Sequence, residues 1–455
     1  MITKDRSFYK TFFSLTAMMA LQNVVVCSVN LADNIMLGAY HETSLSGVAL
    51  ANQIQFILQM LTMGIGEGIM VLGSQYWGKR DAQTICKIVA IGLHLGLLVS
   101  VFMWAIVFFF PKQCLGLFTN DTMVIAEGVQ YLKIICFSYP FFTMTNIMLC
   151  AMRGVETVRI GFFVSCSTLF INVCLNYVLI YGNLRFPRLG TSGAAIATLT
   201  SRIVEFIIMV IYLKIFDKKI SFQISYLFQY HKQLFLDYIR VGIPVILSNT
   251  IWGIAMAVQA AILGHLGSNA IAANSVAATV FQILTVVTYG SASASSVITG
   301  KTIGEGRIEI IKEYTNTFQI LFLIIGVFTG LGLFLIKDFI LGFYDISVES
   351  KMLASQFITI LSITVVGTCY QCPCLTGIVR GGGDTKFVLY NDSIFMWGIV
   401  LPISALAAFV FNWSSVVVFI CLKSDQILKC FVAIVKVNRF TWIKQLTRKE
   451  GFNIK

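Results

Sequence analysis

Residues 380–402 read RGGGDTKFVLYNDSIFMWGIVLP. A basic, glycine-rich turn runs into an apolar stretch that ends on a proline. Gly381, Gly382 and Gly383 permit a tight turn that bulkier residues resist, and Arg380 and Lys386 give it positive charge. A similar turn occurs once before, as MRGVETV at 152–158, with an Arg-Gly pair at Arg153 and Gly154. Upstream, Gly38 and Gly264, Gly64 and Gly290, and Gly78 and Gly304 each lie 226 residues apart. LQNVVV at 21–26 aligns with LSNTIW at 247–252 in the same register. The Arg-Gly pairs fall slightly off it. A spacing kept over three glycines and an Arg-Gly pair marks an internal repeat, so the chain consists of two related halves.

Both halves are built for lipid. The chain has 455 residues, 57% hydrophobic and only 12% charged, whereas soluble domains carry about 25% charged residues. Apolar blocks of roughly 20 residues or more recur along its whole length. They predict an all-α integral membrane protein with twelve spans, centred roughly on residues 23, 60, 99, 142, 170, 205, 250, 285, 326, 364, 398 and 425. Six spans fall in each half. The expected division is an N-terminal lobe at 1–213, a charged cytoplasmic linker at 214–233 and a C-terminal lobe at 234–455. An even number of spans per half gives both halves the same orientation. The pseudo-two-fold axis must then run along the membrane normal, with a substrate cavity expected between the lobes.

The net charge of +12 follows from loop topology rather than from nucleic-acid binding. Alternate loops concentrate Lys and Arg: Lys79, Arg80 and Lys87; Arg153 and Arg159; Lys214, Lys218, Lys219 and Lys232; Lys301, Arg307 and Lys312; Arg380 and Lys386. Both termini share that side, which the positive-inside rule makes cytoplasmic. MITKDRSFYK at the N-terminus precedes an apolar run too long for a cleavable signal. Most of the twelve cysteines sit in apolar segments and read as small hydrophobes. Cys369, Cys372 and Cys374 cluster, but no histidine lies near enough in sequence to complete a metal site. SSVITGKT at 295–302 ends like a phosphate-binding loop, yet lacks the first glycine and any preceding strand. No clustered nucleophile, metal set or acid pair points to an enzyme. Energy must come from an ion gradient or from the substrate's own gradient.

The informative residues are acids inside apolar runs. A carboxylate at mid-bilayer costs about 3 kcal/mol or more and persists when neutral, paired or wet. Asp33, in VNLADNIMLGAY at 29–40, reads as an ion-coupling carboxylate or as a residue of the outer headgroup layer. Its repeat counterpart is Gln259, so the acid belongs to the first half alone. Asn172 and Asn176, spaced i, i+4, share one helix face. They read as oxygen donors to a coupling ion, as hydrogen-bond partners of Asp33, or as interhelical glue. Glu67, in MGIGEGIM, lines the first-half cavity and attracts cations, or bonds backbone near Gly64, Gly66 and Gly68. Glu205 with Arg202 and Asp425 with Lys429 have ion-pair spacing, and Asp392 is expected to brace a cytoplasmic loop. The cations inside spans, Arg202, Lys423 and Lys429, each have an acid close in sequence. Pro140, Pro244, Pro373 and Pro402 fall inside spans and are candidate hinges. The many methionines, Met18, Met19, Met36, Met60, Met63 and Met256 among them, suit a cavity that accepts many shapes or simply pack helices.

SQYWGKRD at 74–81, GKTIGEG at 300–306, PVILSNTIWG at 244–253 and the opening segment at 380–402 together resemble the MATE (multidrug and toxic compound extrusion) family of the MOP flippase superfamily. The likeness covers nearly the whole chain. It implies a secondary active antiporter that exports amphipathic organic cations in exchange for H⁺ or Na⁺ by alternating access. No cofactor is implied beyond the coupling ion. The resemblance assigns Asp33 to the first-helix acid, Asn172 and Asn176 to its fifth-helix partners, and Thr198 to a sixth-helix hydroxyl in the same site. Where some members have Asp, this chain has Asn176. Where one branch has an Asn-Glu pair in the seventh helix, it has Ser248 and Asn249, and the tenth span carries no acid. Coupling is therefore expected in the first half alone, with Glu67 as a candidate cavity acid. The implied setting is the bacterial cytoplasmic membrane, as a monomer with no nucleic-acid partner. The alternative is a lipid or glycolipid flippase of the same superfamily, which would require a cation-rich cavity.

Overall fold

The computed structural model describes residues 2–229, 231–342 and 347–448. Among them no residue is in a β-strand. Eleven helices among the described residues are long and apolar enough to cross a membrane. They are α1 (Arg6–Tyr40), α2 (Glu42–Gly78), α3 (Ala82–Phe109), α4 (Thr122–Gly154), α5 (Arg159–Tyr181) and α6 (Thr191–Phe216). The second half supplies α7 (Lys232–Gly264), α8 (Ser268–Gly304), α9 (Ile308–Gly342), α10 (Val348–Val379) and α11 (Thr385–Val410). Even α5, at 23 residues, reaches about 35 Å at 1.5 Å per residue, more than the roughly 30 Å hydrocarbon core. The twelfth expected span, near residue 425, is two helices. α12 (Ser415–Lys423) and α13 (Asp425–Asn438) meet at Ser424, where Lys423, Asp425 and Lys429 interrupt the apolar pattern. Phe328, Leu331 and Leu335 on α9 and Phe163 and Phe170 on α5 are exposed. Large side chains displayed in this number belong against lipid.

The prolines deform helices without ending them. Pro140 follows a 3₁₀ turn at Cys136–Ser138, and Pro373 opens a π-helical segment, Pro373–Val379. Pro402 lies between two more π segments, Ile394–Val400 and Leu406–Val410. Widening the turn accommodates a missing N–H and the ring that replaces it. Pro244 sits inside an uninterrupted α7. The GKT sequence at 300–302 is likewise the last turns of α8 and not a loop.

The chain forms two compact units. One holds Leu21–Gly73 and Arg80–Asn249; the other holds the N-terminal segment through Ala20, Ser74–Lys79 and everything from Thr250 onward. The boundaries fall inside α1, α2 and α7. The first unit has a core that includes Leu37, Leu58, Leu132, Tyr139 and Ile180. The second packs Ala255, Phe357, Phe419 and Leu422 among others, with Phe357 and Phe419 stacked at 4.0 Å.

Within the second unit the sequence repeat becomes a contact. A Cβ added at Gly78 would collide with the Lys301 carbonyl, and one at Gly304 with the Gln75 carbonyl. Gly78 and Gly304 are repeat mates, and so are Gln75 and Lys301. The ends of α2 and α8 thus touch through two equivalent contacts, each of which requires glycine. This is the local signature of pseudo-two-fold symmetry, and it explains the glycines in SQYWGKRD and GKTIGEG.

Candidate functional site

The first unit brings together four residues singled out in the sequence. α5 and α6 pack closely because Gly193 has no side chain: an added Cβ would stand 2.5 Å from the Leu179 carbonyl oxygen. This close approach sets Thr198 of α6 against Asn172 of α5. The Asn172 amide donates to Thr198 Oγ1 at 3.2 Å. One turn along, the Asn176 amide donates to Asn172 Oδ1 at 3.0 Å and also to Asp33 Oδ1 on α1. Asn172 and Asn176 are fully buried, Thr198 is 7% exposed, and Asp33 is partly buried. The i, i+4 face legible in FINVCLNYVLI is therefore the face that meets Asp33.

One atom of this network is unmet. Asn176 Oδ1 is buried and has no hydrogen-bond partner. Buried amide oxygens are nearly always satisfied, so this acceptor beside the Asp33 carboxylate is unusual. Two further residues complete the surroundings. Tyr131 on α4, 3% exposed, lies near Thr198. Its phenol was not singled out in the sequence, where it is one aromatic among many; a polar group inside YLKIICF was the available signal. Arg202, one turn beyond Thr198, interacts electrostatically with Asp33. It also pairs with Glu205 at 2.8 Å and lies over the Phe142 ring. The ion pair expected between Arg202 and Glu205 is present.

Glu67 lies apart from these residues. Its Oε2 accepts from the Asn249 amide of α7 at 2.9 Å. The neighbouring glycines serve packing rather than freeing backbone. A Cβ at Gly64 would stand 2.5 Å from Ile246 Cα, and one at Gly68 3.0 Å from Gly242 Cα. Tyr238 donates to the Ile65 carbonyl at 2.8 Å across the same contact. Within this unit, a carboxylate of α2 thus meets α7 at one of the two positions where α7 itself lacks an acid.

In the second unit Lys429 pairs with Asp392 at 3.0 Å and with Asp425 at 3.5 Å. The expected Asp425–Lys429 pair is present, and Asp392 joins it. Lys423 departs from expectation. Its ammonium donates to Gln259 Oε1 at 3.3 Å, and among the described residues no carboxylate oxygen lies within 4 Å of it.

A family model described as MatE matches residues 19–178 and again 244–406, once in each half. Among curated relatives, the uncharacterized transporter YisQ of Bacillus subtilis is 21% identical over 97% of this chain and 96% of its own length. The probable multidrug resistance protein NorM of Thermotoga maritima is 23% identical over 94% of this chain and 92% of its own. Among solved structures, a MOP-superfamily transporter from Pyrococcus furiosus superposes with a TM-score of 0.87 at 18% identity, covering 96% of this chain and 98% of that one. That likeness establishes the shared fold, the twelve-span all-helical fold expected from the sequence. The family model covers well over half of the sequence, and the chain belongs to the MatE family of multi-pass membrane transporters.

Proposed function

We propose that this chain is a secondary active antiporter that exports amphipathic organic cations in exchange for H⁺ or Na⁺. The observation that carries the reading is the buried chain of hydrogen bonds from Asp33 through Asn176 and Asn172 to Thr198, with Asn176 Oδ1 left over. In this scheme Asp33 holds the coupling ion. A proton would sit on the carboxylate; a sodium ion would also draw on the Asn176 amide oxygen, a hard donor of the kind sodium prefers. Loading neutralises the one acid of the group that has no adjacent cation bonded to it, since Arg202 is held by Glu205. Alternating access then exposes Asp33 to each side of the membrane in turn. The multidrug-resistance names of the relatives support export of varied small molecules. We place the chain in the bacterial cytoplasmic membrane as a monomer with both termini inside, on the charge of its loops. The flippase alternative would need cations free to hold a phosphate head group; Arg202 and Lys429 are both neutralised by carboxylates, which leaves Lys423 alone of the three.

The test is ethidium efflux from proteoliposomes, with proton and sodium gradients imposed separately, for the native chain and Asp33→Asn. The expected result is efflux driven by one gradient and lost in the variant. Equal efflux in native and variant would place Asp33 outside the coupling step.

A further inference from the structure

The two halves place different groups at equivalent positions. Asp33 of α1 is matched by Gln259 of α7, and the partners that meet them also differ. Asp33 receives the Asn176 amide. Gln259 receives the Lys423 ammonium through Oε1, while its own amide reaches only Met396 Sδ at 3.3 Å, a weak acceptor. Gln259 is 4% exposed, and Lys423 is partly exposed in the last turn of α12. The Lys423 ammonium lies over the Phe419 ring, with Nζ 5.6 Å from its centroid.

An ammonium has three donors, and Lys423 uses one among the described residues. Lys429, six residues on, shows what full compensation looks like in the same span: two carboxylates within 3.5 Å. Asp425 lies near enough to act electrostatically on Lys423, but it is turned to Lys429. A cation set in an apolar stretch, bonded to a neutral amide and partly accessible, is costly to keep unless something anionic visits it.

We propose that Lys423 and Gln259 form a recognition site for an anionic oxygen group, a carboxylate or a phosphate, carried by the transported molecule. Lys423 supplies the charge, and the Gln259 amide, released from the weak Met396 contact, supplies a second donor. This rests on the export reading above and sharpens it. The preferred cargo is zwitterionic, with an amphipathic cation at one end and a carboxylate at the other.

Rhodamine B, which carries a free carboxylate, and its methyl ester, which does not, form a matched pair of fluorescent probes. Efflux and equilibrium binding by fluorescence anisotropy are measured for the native chain, Lys423→Gln and Lys423→Arg. Losing one member of a desolvated charge pair predicts that Lys423→Gln weakens rhodamine B binding and transport by about tenfold or more. The ester should stay within about twofold, and Lys423→Arg should restore most of the rhodamine B signal. Equal loss for both probes, or no loss for either, overturns the proposal and leaves Lys423 as a charge balance for Asp392 and Asp425. Binding of the ester but not of rhodamine B by the native chain overturns it as well. A parallel arm follows translocation of a short-chain fluorescent phosphatidylcholine. If that movement depends on Lys423 while neither rhodamine is bound or moved, the anionic group is a lipid phosphate. The site then stands and the organic-cation reading falls.

Discussion

Replacing Trp442 with alanine should release the C-terminal segment from its seat while leaving the helices folded. Trp442 is fully buried, although it lies beyond the last helix. Its indole N–H donates to the Val437 carbonyl at 2.9 Å. The ring covers Gly382 so closely that a Cβ there would strike it, which gives the middle glycine of RGGGDT a packing reason. The seat continues on both sides. The Lys444 N–H donates to the Gly382 carbonyl at 2.8 Å, and the Lys444 ammonium meets Asp384 at 2.7 Å. Gln75, at the end of α2, donates to the Lys444 carbonyl and accepts from the Leu446 N–H. Lys79 reaches the Arg448 carbonyl at 2.8 Å. Trp442 is the only large apolar side chain in this segment that is completely buried, so its loss removes most of the apolar holding energy. Truncating a buried Trp costs about 3–5 kcal/mol. At 1.4 kcal/mol per factor of ten, amides of 440–448 should exchange roughly a hundredfold to a few thousandfold faster. Hydrogen–deuterium exchange with peptide mass spectrometry reads this directly, with α5 peptides as an internal control. Unchanged exchange over 440–448 in Trp442→Ala would refute the reasoning and assign the seat to the backbone clamp at Gln75.

Arg202→Leu should lower the melting midpoint strongly, because it strands Glu205, which is 5% exposed; breaking such a pair costs about 3–5 kcal/mol. Arg202→Leu combined with Glu205→Leu should recover much of that loss, and failure to recover would mean that Arg202 matters through Asp33 instead. Glu67→Gln keeps the shape of the side chain and removes its charge beside Asn249. If Glu67 attracts cationic cargo, the ethidium KM should rise by about tenfold while gradient-driven ion movement stays intact; an unchanged KM makes Glu67 a packing residue. Acid should release the C-terminal segment. Burial alone would raise the Asp384 carboxyl, but hydrogen bonds and charge from Lys436 and Lys444 outweigh it and hold it below 3.8. A lowered carboxyl stabilises above 3.8 and loses that contribution as pH falls through its folded value. Trp442 fluorescence in a chain whose other tryptophans are replaced by Phe should therefore stay constant from neutral pH to about pH 4 and change only below it. A transition near pH 6 would assign the release to another group.

The spans and the shared face of Asn172 and Asn176 were readable because each rests on a local pattern; the repeat rested on a constant spacing, and the grouping with Asp33 and Thr198 on the family resemblance. Apolar runs longer than a bilayer leave little choice of structure, and two asparagines at i, i+4 must share a face. The contacts of Gly78 with Lys301 and of Gly304 with Gln75 turn a constant spacing in the sequence into geometry. What the sequence hid was long-range. Nothing near Trp442 tells that it will sit on Gly382, and nothing near Glu67 names Asn249, 182 positions away. Lys423 was misjudged for a related reason. Asp425 is two residues from it, but i, i+2 positions on helices do not face each other, and the break at Ser424 turns Asp425 toward Lys429. Proximity in sequence suggested an ion pair that helix geometry disallows.

That misjudged lysine bears on why the repeat is not symmetric. In the register that pairs Arg153 with Arg380, Arg202 pairs with Lys429 and Thr198 with Asp425. The two cations are each neutralised by carboxylates within their own unit, so both halves retain a balanced pair as part of the inherited scaffold. A further difference lies at one repeated position and its contact. The first half has an acid at Asp33 held by an amide; the second has an amide at Gln259 holding an ammonium. If two halves descended from one ancestor bound the same species, loading one would disfavour loading the other through like charge. On the two proposals above, opposite polarity would let the halves accept different species, a coupling cation at Asp33 and an anionic cargo group at Lys423. Under the proposed antiport, divergence at this repeated position would give the admitted ion and the expelled molecule separate sites.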